Sequence, residues 1–197
     1  VVAAATVPAG SMVGRMGKAR GLRTFAIAGG ADECALALEK FGFDAAIAHH
    51  AHENASSLRK AIAEAASKGI DIYFENVGGK VFEAVLPLMN TFGRIPVCGM
   101  ISGYNAGALG GGAVAEGPDR LPVLWRSILV KQMSVNGFII SNHYDEYPTF
   151  LKEVAPLVAT GQLAYLEDIV EGLENAPRAF MGLLEGRNAG KQIVKLT

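Results

Sequence analysis

The feature that most constrains the fold is a regular alternation of short apolar segments with segments of helical spacing. The apolar segments are rich in Val, Ile, Ala and Phe, and such runs are typical of strands that are buried on both faces of a parallel sheet. We predict strands at 1–6, 24–28, 43–48, 70–75, 94–99 and 133–140, with a last strand at 192–196. We predict helices at 10–20, 32–41, 56–68, 80–89, 121–131, 147–159 and 175–185.

This alternation indicates right-handed crossovers between parallel strands. The 24 glycines among 197 residues agree with it, since they suit a fold with many strand-to-helix turns better than a helical bundle. We therefore expect an α/β fold with a Rossmann-type doubly wound sheet of six parallel strands in the order 3-2-1-4-5-6, with helices on both faces. Ligands of such sheets bind at the carboxyl ends of the strands, where the strand order reverses.

Charge and cysteine content exclude several classes of protein. Lys+Arg 18 and Asp+Glu 19 leave a net charge of -1, which disfavours nucleic acid as a partner. Cys34 and Cys98 are too few for a disulfide scaffold or a structural zinc cluster, and we predict no metal site. No apolar run reaches the ~20 residues needed to cross a bilayer, so we expect a cytoplasmic protein without a membrane partner.

The turn after the first predicted strand is a candidate phosphate-binding turn. Gly10 and Gly14 have the spacing that lets backbone N–H groups and a helix N-terminus approach a pyrophosphate. Val7 stands where the first glycine of such a fingerprint is expected, and Pro8 removes one amide donor. Phosphate binding and close helix–strand packing both remain open for these glycines.

The end of the second predicted strand bears on the adenosine half of a dinucleotide. An acid at this point usually binds the ribose of NAD, whereas the chain has Gly29 and Gly30, which leave room for a 2′-phosphate. Asp32 and Glu33 follow and would repel that phosphate, although a helix dipole also favours acids in a first turn. The two histidines at 49–50 are candidates for the missing positive charge.

Polar residues also follow the fourth and fifth predicted strands. Asn76 is a candidate ligand of a ribose or nicotinamide, or else the cap of the next helix. Cys98, Gly99 and Ser102 lead to Tyr104, which is a candidate proton or hydrogen-bond donor to a carbonyl oxygen whose charge grows during hydride transfer. The alternatives are a small buried cysteine and a loop tyrosine packed on the surface.

Four strings of residues resemble one family. They are DIYFENVGG at 71–79, GRIPVCGMISGYN at 93–105, GFIIS at 137–141 and EGLENAPRAFMGLLEGRNAGK at 171–191. Together they resemble the zinc-free medium-chain dehydrogenase/reductase superfamily, in the branch of prostaglandin reductases and plant alkenal double-bond reductases. The resemblance implies an NADPH-dependent oxidoreductase that saturates the C=C bond of α,β-unsaturated aldehydes or ketones.

The resemblance also implies site residues. Hydride would pass to the β-carbon of the substrate, and Tyr104, the tyrosine of the ISxYN string, would hold the enolate oxygen. The implied cofactor-binding residues are Pro8, Ala9, Gly10, Gly29, Gly30, His49, Asn76, Cys98, Gly99, Met100, Ile101, Ser102, Phe138, Ile139, Ile140 and Asn188.

The chain departs from the family pattern at the adenosine end. Val7 replaces a glycine, Glu33 and Cys34 stand where a basic residue is expected, and His49 replaces a tyrosine. These departures leave the choice between NADP and NAD open, while the nicotinamide end keeps the family strings.

We expect residues 1–197 to form a dinucleotide-binding domain whose segment 145–197 returns toward a substrate domain. By resemblance, that substrate domain would precede the chain and is absent from it, and the protein would be a homodimer. A nucleotide-binding module without turnover and a quinone reductase are the alternative functions. The glycine-rich segment 103–117 is expected to form a loop beside the crevice or an oligomer contact.

Overall fold

The computed structural model describes residues 1–104 and 120–196, so the loop expected at 103–117 lies almost wholly outside the described residues. The strands are β1 (Val2–Ala3), β2 (Phe25–Ala28), β3 (Ala45–Ala48), β4 (Ile70–Ile72), β5 (Met89–Val97), β6 (Ser134–Gly137), β7 (Glu167–Glu171) and β8 (Lys191–Lys195). The α-helices are α1 (Pro8–Ala19), α2 (Ala31–Glu39), α3 (Ala55–Ala65), α4 (Gly79–Val85), α5 (Ile101–Tyr104), α6 (Leu121–Lys131), α7 (Tyr147–Ala159) and α8 (Ala176–Leu184). Short 3-10 helices cover His49–Ala51, Leu86–Leu88, Ile140–Glu146 and Leu173–Asn175.

The strands form a parallel sheet in the predicted order. β1, β2 and β3 are neighbours in one half, and β4, β5 and β6 are neighbours in the other. The halves meet where Val2 bridges Phe74 in parallel, with hydrogen bonds from Ala3 N to Phe74 O (3.1 Å) and from Phe74 N to Val1 O (3.0 Å). The order is therefore 3-2-1-4-5-6, and the predicted doubly wound α/β fold is confirmed.

At β2 both faces of the sheet are buried, because successive strand residues point to opposite sides. In β2, Phe25 and Ile27 belong to a core that also contains Leu58 of α3 and Val85 of α4. Ala26, between them, belongs to a second core with residues such as Phe41. Helices therefore cover the two faces, which explains why the strands read as continuous apolar runs.

The two glycines of the first turn allow α1 to pack closely on its surroundings. A Cβ built on Gly10 would lie 2.2 Å from the backbone oxygen of Ala4, and one built on Gly14 would lie 2.0 Å from the Phe43 ring. Such separations are far inside van der Waals contact. The packing interpretation of Gly10 and Gly14 is thus confirmed, and a role in phosphate binding stays a prediction.

Some predicted elements differ from the structure. The first strand stops at Ala3 because Ala4 adopts a left-handed backbone with φ 49°. The sequence prediction missed β7, whose residues EDIVE include three acids and only two apolar residues and therefore form no apolar run. β7 pairs in parallel with β8 in a separate two-stranded sheet. The six-stranded sheet itself contains none of this segment.

Replacement of Gly10 by alanine tests this packing. We expect Gly10→Ala to lower the free energy of unfolding by about 1–3 kcal/mol, since the added methyl group meets backbone that cannot rotate away. Urea unfolding followed by circular dichroism measures the change. The control is Gly17→Ala in the same helix, where the nearest atom to the new Cβ is a methyl carbon of Thr24 at 3.2 Å. Equal stability of the two variants would contradict the packing argument.

Candidate functional site

The candidate site lies at the carboxyl ends of β4 and β5, where two turns are joined by backbone hydrogen bonds. Cys98 N donates to Glu75 O (2.9 Å), and Ile101 N donates to Asn76 O (3.0 Å). Ser102 N donates to Val77 O (3.0 Å). The turn that carries the predicted residues 98–102 is therefore held directly against the turn that carries Asn76.

Asn76 connects this pair of turns to the other half of the sheet. Its Nδ2 donates to the backbone oxygen of Ala3 at 3.2 Å, across the strand-order reversal. The interpretation of Asn76 as a helix cap is wrong, because α4 has Gly78 as its N-cap and no side chain caps it. Gly78 adopts φ 77°, a conformation that favours glycine.

Tyr104 ends the four-residue helix α5 and reaches back over the β5 turn. A Cβ built on Gly99 would lie 3.3 Å from the Tyr104 hydroxyl and 3.5 Å from Asn76 O, so these residues form a small cradle around position 99. Tyr104 is 39% exposed, so the residue is partly accessible to solvent. Cys98 is exposed, which corrects the alternative of a small buried cysteine. Protein atoms still cover part of its side chain, and this desolvation raises the pKa of its thiol.

Glu75 is a residue of this site that the sequence interpretation missed. It is buried at 3% exposure, and its Oε1 accepts hydrogen bonds from Val77 N (2.6 Å) and Gly78 N (2.9 Å). Burial, together with the charge of Glu75, raises the pKa of the neighbouring Tyr73. A carboxylate at the end of a buried strand, just before a turn with two glycines, was the available sequence signal.

His49 follows β3 and is half-buried beside Lys80. Burial, together with the charges of His50 and Lys80, lowers its pKa to about 4. His49 is therefore neutral at pH 7 in this structure, and its role toward a 2′-phosphate stays a prediction. The ammonium of Lys80 donates to the backbone oxygens of His49 (2.9 Å) and His52 (2.6 Å).

The other predicted residues have different surroundings. Pro8 and Ala9 are exposed at the start of α1, and Gly29 and Gly30 connect β2 to α2. Phe138 follows β6, and the centroid of its ring lies 6.5 Å from the centroid of the Phe74 ring. Exposed positions also include Met100, Ile139 and Ile140. Asn188 donates from Nδ2 to Gly190 O (2.7 Å) within its own turn before β8. Their roles toward a cofactor stay predictions.

The comparison with known proteins identifies the family. Residues 8–156, more than half of the chain, match the family model described as zinc-binding dehydrogenase. The chain belongs to the zinc-binding dehydrogenase family. Within residues 1–104 and 120–196 of this family member, no three His, Cys, Asp or Glu side chains are grouped so that they would hold a metal ion. In the same ranges no helix has the length and hydropathy of a membrane span.

Its relatives include named reductases, in agreement with the resemblance drawn from the sequence. NADPH-dependent curcumin reductase of Escherichia coli (strain K12) is 49% identical over 197 residues, which cover 100% of this chain and 54% of that protein. 2-alkenal reductase (NADP(+)-dependent) of Nicotiana tabacum is 40% identical over 196 residues, which cover 100% of this chain and 53% of that protein. The chain thus spans about half the length of the curated relatives it matches.

A solved structure confirms the fold of this family member. CurA from Vibrio vulnificus in complex with NADPH matches with a TM-score of 0.90 and 47% identity. The match covers 100% of this chain and 56% of that chain. These matches confirm the membership in the medium-chain dehydrogenase/reductase superfamily that the sequence strings implied.

The low pKa of His49 gives a test of its environment. We expect its ring to titrate at about pH 4 in an NMR titration, assigned with a His49→Gln variant. Because the unfolded ring takes up its proton near 6.5, the free energy of unfolding should fall as the pH drops from about 6.5 to about 4. The variant should lack this part of the pH dependence. A ring that titrates near 6.5 in the folded protein would contradict this environment.

Glu75 gives a second test at the site. Glu75→Ala leaves the N–H groups of Val77 and Gly78 without their acceptor, and each unpaired buried group costs about 1–3 kcal/mol. We expect a clear loss of stability in urea unfolding. Glu75→Gln keeps an oxygen for these two donors and serves as the matched control, with a loss less than half as large. An equal loss in both variants would show that the charge, rather than the acceptor, is what the turn requires.

Proposed function

We propose that the chain is the cofactor-binding part of an NADPH-dependent reductase of α,β-unsaturated aldehydes or ketones. The observation that carries this proposal is the cradle of Asn76, Gly99 and Tyr104 at the strand-order reversal. Dinucleotides bind such sheets at this edge. The relatives named as curcumin and 2-alkenal reductases support the reaction class.

The residues of the cradle fit the nicotinamide half of the cofactor. Gly99 has no Cβ, which leaves space beside the Tyr104 hydroxyl that any other residue at this position would partly fill. When bound, the dinucleotide supplies a hydride for the β-carbon of the enone. A C–H bond then forms at the β-carbon, and the π electrons between the α- and β-carbons form the new C=C bond of the enolate between the α-carbon and the carbonyl carbon. Negative charge moves to the carbonyl oxygen. The α-carbon later takes a proton from solvent.

Tyr104 would stabilise that oxygen. Its hydroxyl is an O–H donor at the accessible edge of the site, and a hydrogen bond to an oxygen that gains charge is stronger in the transition state than in the substrate. The turn hydrogen bonds from Ile101 and Ser102 to the β4 turn fix the start of the helix that carries Tyr104. The residue therefore acts from a positioned backbone.

Tyr104→Phe tests the proposal in the protein that carries this chain. We expect kcat for enone reduction to fall by about 100-fold, the usual effect of losing one oxyanion donor. The Kd of NADPH should stay within about threefold, measured by fluorescence, because the phenyl ring keeps its packing. Tyr165→Phe, at an exposed tyrosine before β7, is the matched control. Unchanged turnover in Tyr104→Phe would refute the catalytic role.

The same assays separate the alternative functions. NADPH binding without its oxidation in the presence of enones or quinones would indicate a nucleotide-binding module. Oxidation with quinones alone would indicate a quinone reductase. The enone reductase requires saturation of the C=C bond, identified by mass spectrometry of the product.

We also propose a second domain and a homodimer. The β7–β8 pair lies outside the six-stranded sheet, and segment 145–197 exposes apolar side chains such as Phe150, Ile169 and Phe180, which suit contact with a substrate domain.

β6 pairs with β5 alone among the described strands and is exposed throughout, so its other edge is open to a second copy. Light scattering after size exclusion measures the oligomeric state.

A further inference from the structure

The carboxylate of Glu33 is held at the carboxyl ends of β1 and β2, the adenosine side of the crevice. Its Oε2 accepts hydrogen bonds from Thr6 Oγ1 (2.8 Å) and Gly29 N (3.0 Å). Thr6 is 5% exposed, and Gly29 is buried. Although Glu33 belongs to the first turn of α2, its side chain turns back to the end of the second strand. Other dinucleotide-binding domains have an acid at the end of this strand.

Gly29 makes this position available. A Cβ built on Gly29 would lie 2.7 Å from Glu33 Oε1, so any larger residue there would push the carboxylate away. Oε1 itself has no hydrogen bond to any residue in 1–104 or 120–196. One oxygen of the carboxylate is therefore anchored, and the other is free to accept a hydrogen bond from a ligand.

Glu33 shares this edge with the His50 ring, whose Cε1 lies 3.4 Å from the Cβ position of Gly29. Asp32 adds a second, exposed carboxylate, and the nearby His49 ring is neutral at pH 7. The Lys80 ammonium donates to backbone oxygens of residues 49 and 52. Within the described part of the chain, no Lys or Arg forms an ion pair with Glu33.

This environment distinguishes the two nicotinamide cofactors by their chemistry. NADH carries a 2′-hydroxyl on its adenosine ribose, which donates a hydrogen bond to a carboxylate. NADPH carries a phosphate at the same atom, which repels a carboxylate. The relatives named for NADPH therefore do not settle the preference of this chain at the ribose.

We propose that Glu33 is a cofactor-specificity residue that accepts a hydrogen bond from the 2′-hydroxyl of NADH and lets the site bind NADH alongside NADPH. The proposal rests on the proposed function, since it requires a dinucleotide in the crevice. It assigns the 2′ position of the ribose to the anchored carboxylate rather than to a cationic pocket.

The test measures Kd by titration calorimetry or fluorescence for NADH and NADPH, and for 5′-AMP and 2′,5′-ADP, which differ only in the 2′-phosphate. In the unaltered protein we expect the Kd of NADH to lie within tenfold of that of NADPH. Glu33→Gln keeps an acceptor for Thr6 and Gly29 but removes the charge, so it should tighten NADPH and 2′,5′-ADP at least tenfold. Glu33→Lys should favour NADPH over NADH at least 100-fold.

Asp32→Asn is the matched control. It removes a neighbouring charge that is exposed, and we expect every Kd to change less than threefold. NADPH binding more than 100-fold tighter than NADH, with a ratio that Glu33→Gln leaves unchanged, would overturn the specificity role while the proposed reductase stands. If a folded protein binds neither cofactor, both proposals fail together.

Discussion

Two backbone hydrogen bonds between β1 and Phe74 hold the halves of the six-stranded sheet together. At this seam the chain order of the strands reverses, so the segments that follow β1 and β4 leave toward opposite faces and a crevice opens between them. The amide of Asn76 reaches across the seam to Ala3 O and ties the crevice walls to each other. The geometry of both proposed subsites depends on this single junction.

Two carboxylates, the buried Glu75 and the partly buried Glu33, act on the two sides of that crevice in different ways. The Oε1 of Glu75 accepts hydrogen bonds from the N–H groups of Val77 and Gly78 in its own turn. These bonds position the residues that contact the β5 turn. Glu33 anchors one oxygen on Thr6 and Gly29 and keeps the other free. The first acid supports the shape of the β4 turn, whereas we propose that the second presents its charge to a ligand. Each role follows from which backbone donors lie within reach.

The sequence predicted most of the fold because burial on both faces leaves a strong pattern. Continuous apolar runs marked the strands of the main sheet, and helical spacing marked the helices that cover them. The pattern failed at β7, where only alternate residues are partly buried. It also failed for Cys98, because an apolar residue type at a strand end does not report whether the turn beyond it covers the thiol.

By itself the sequence determined the order of strands and helices and the polar residues that follow each strand, since both are properties of neighbouring residues. Tertiary structure alone decided what those polar groups do. Thr6, a partner of Glu33, is 27 residues away, and Ala3, the partner of Asn76, is 73 residues away. Hydrophobic periodicity indicates which residues of one helix or strand are buried. Whether a carboxylate oxygen is hydrogen-bonded depends on donors that only the folded sheet brings near it.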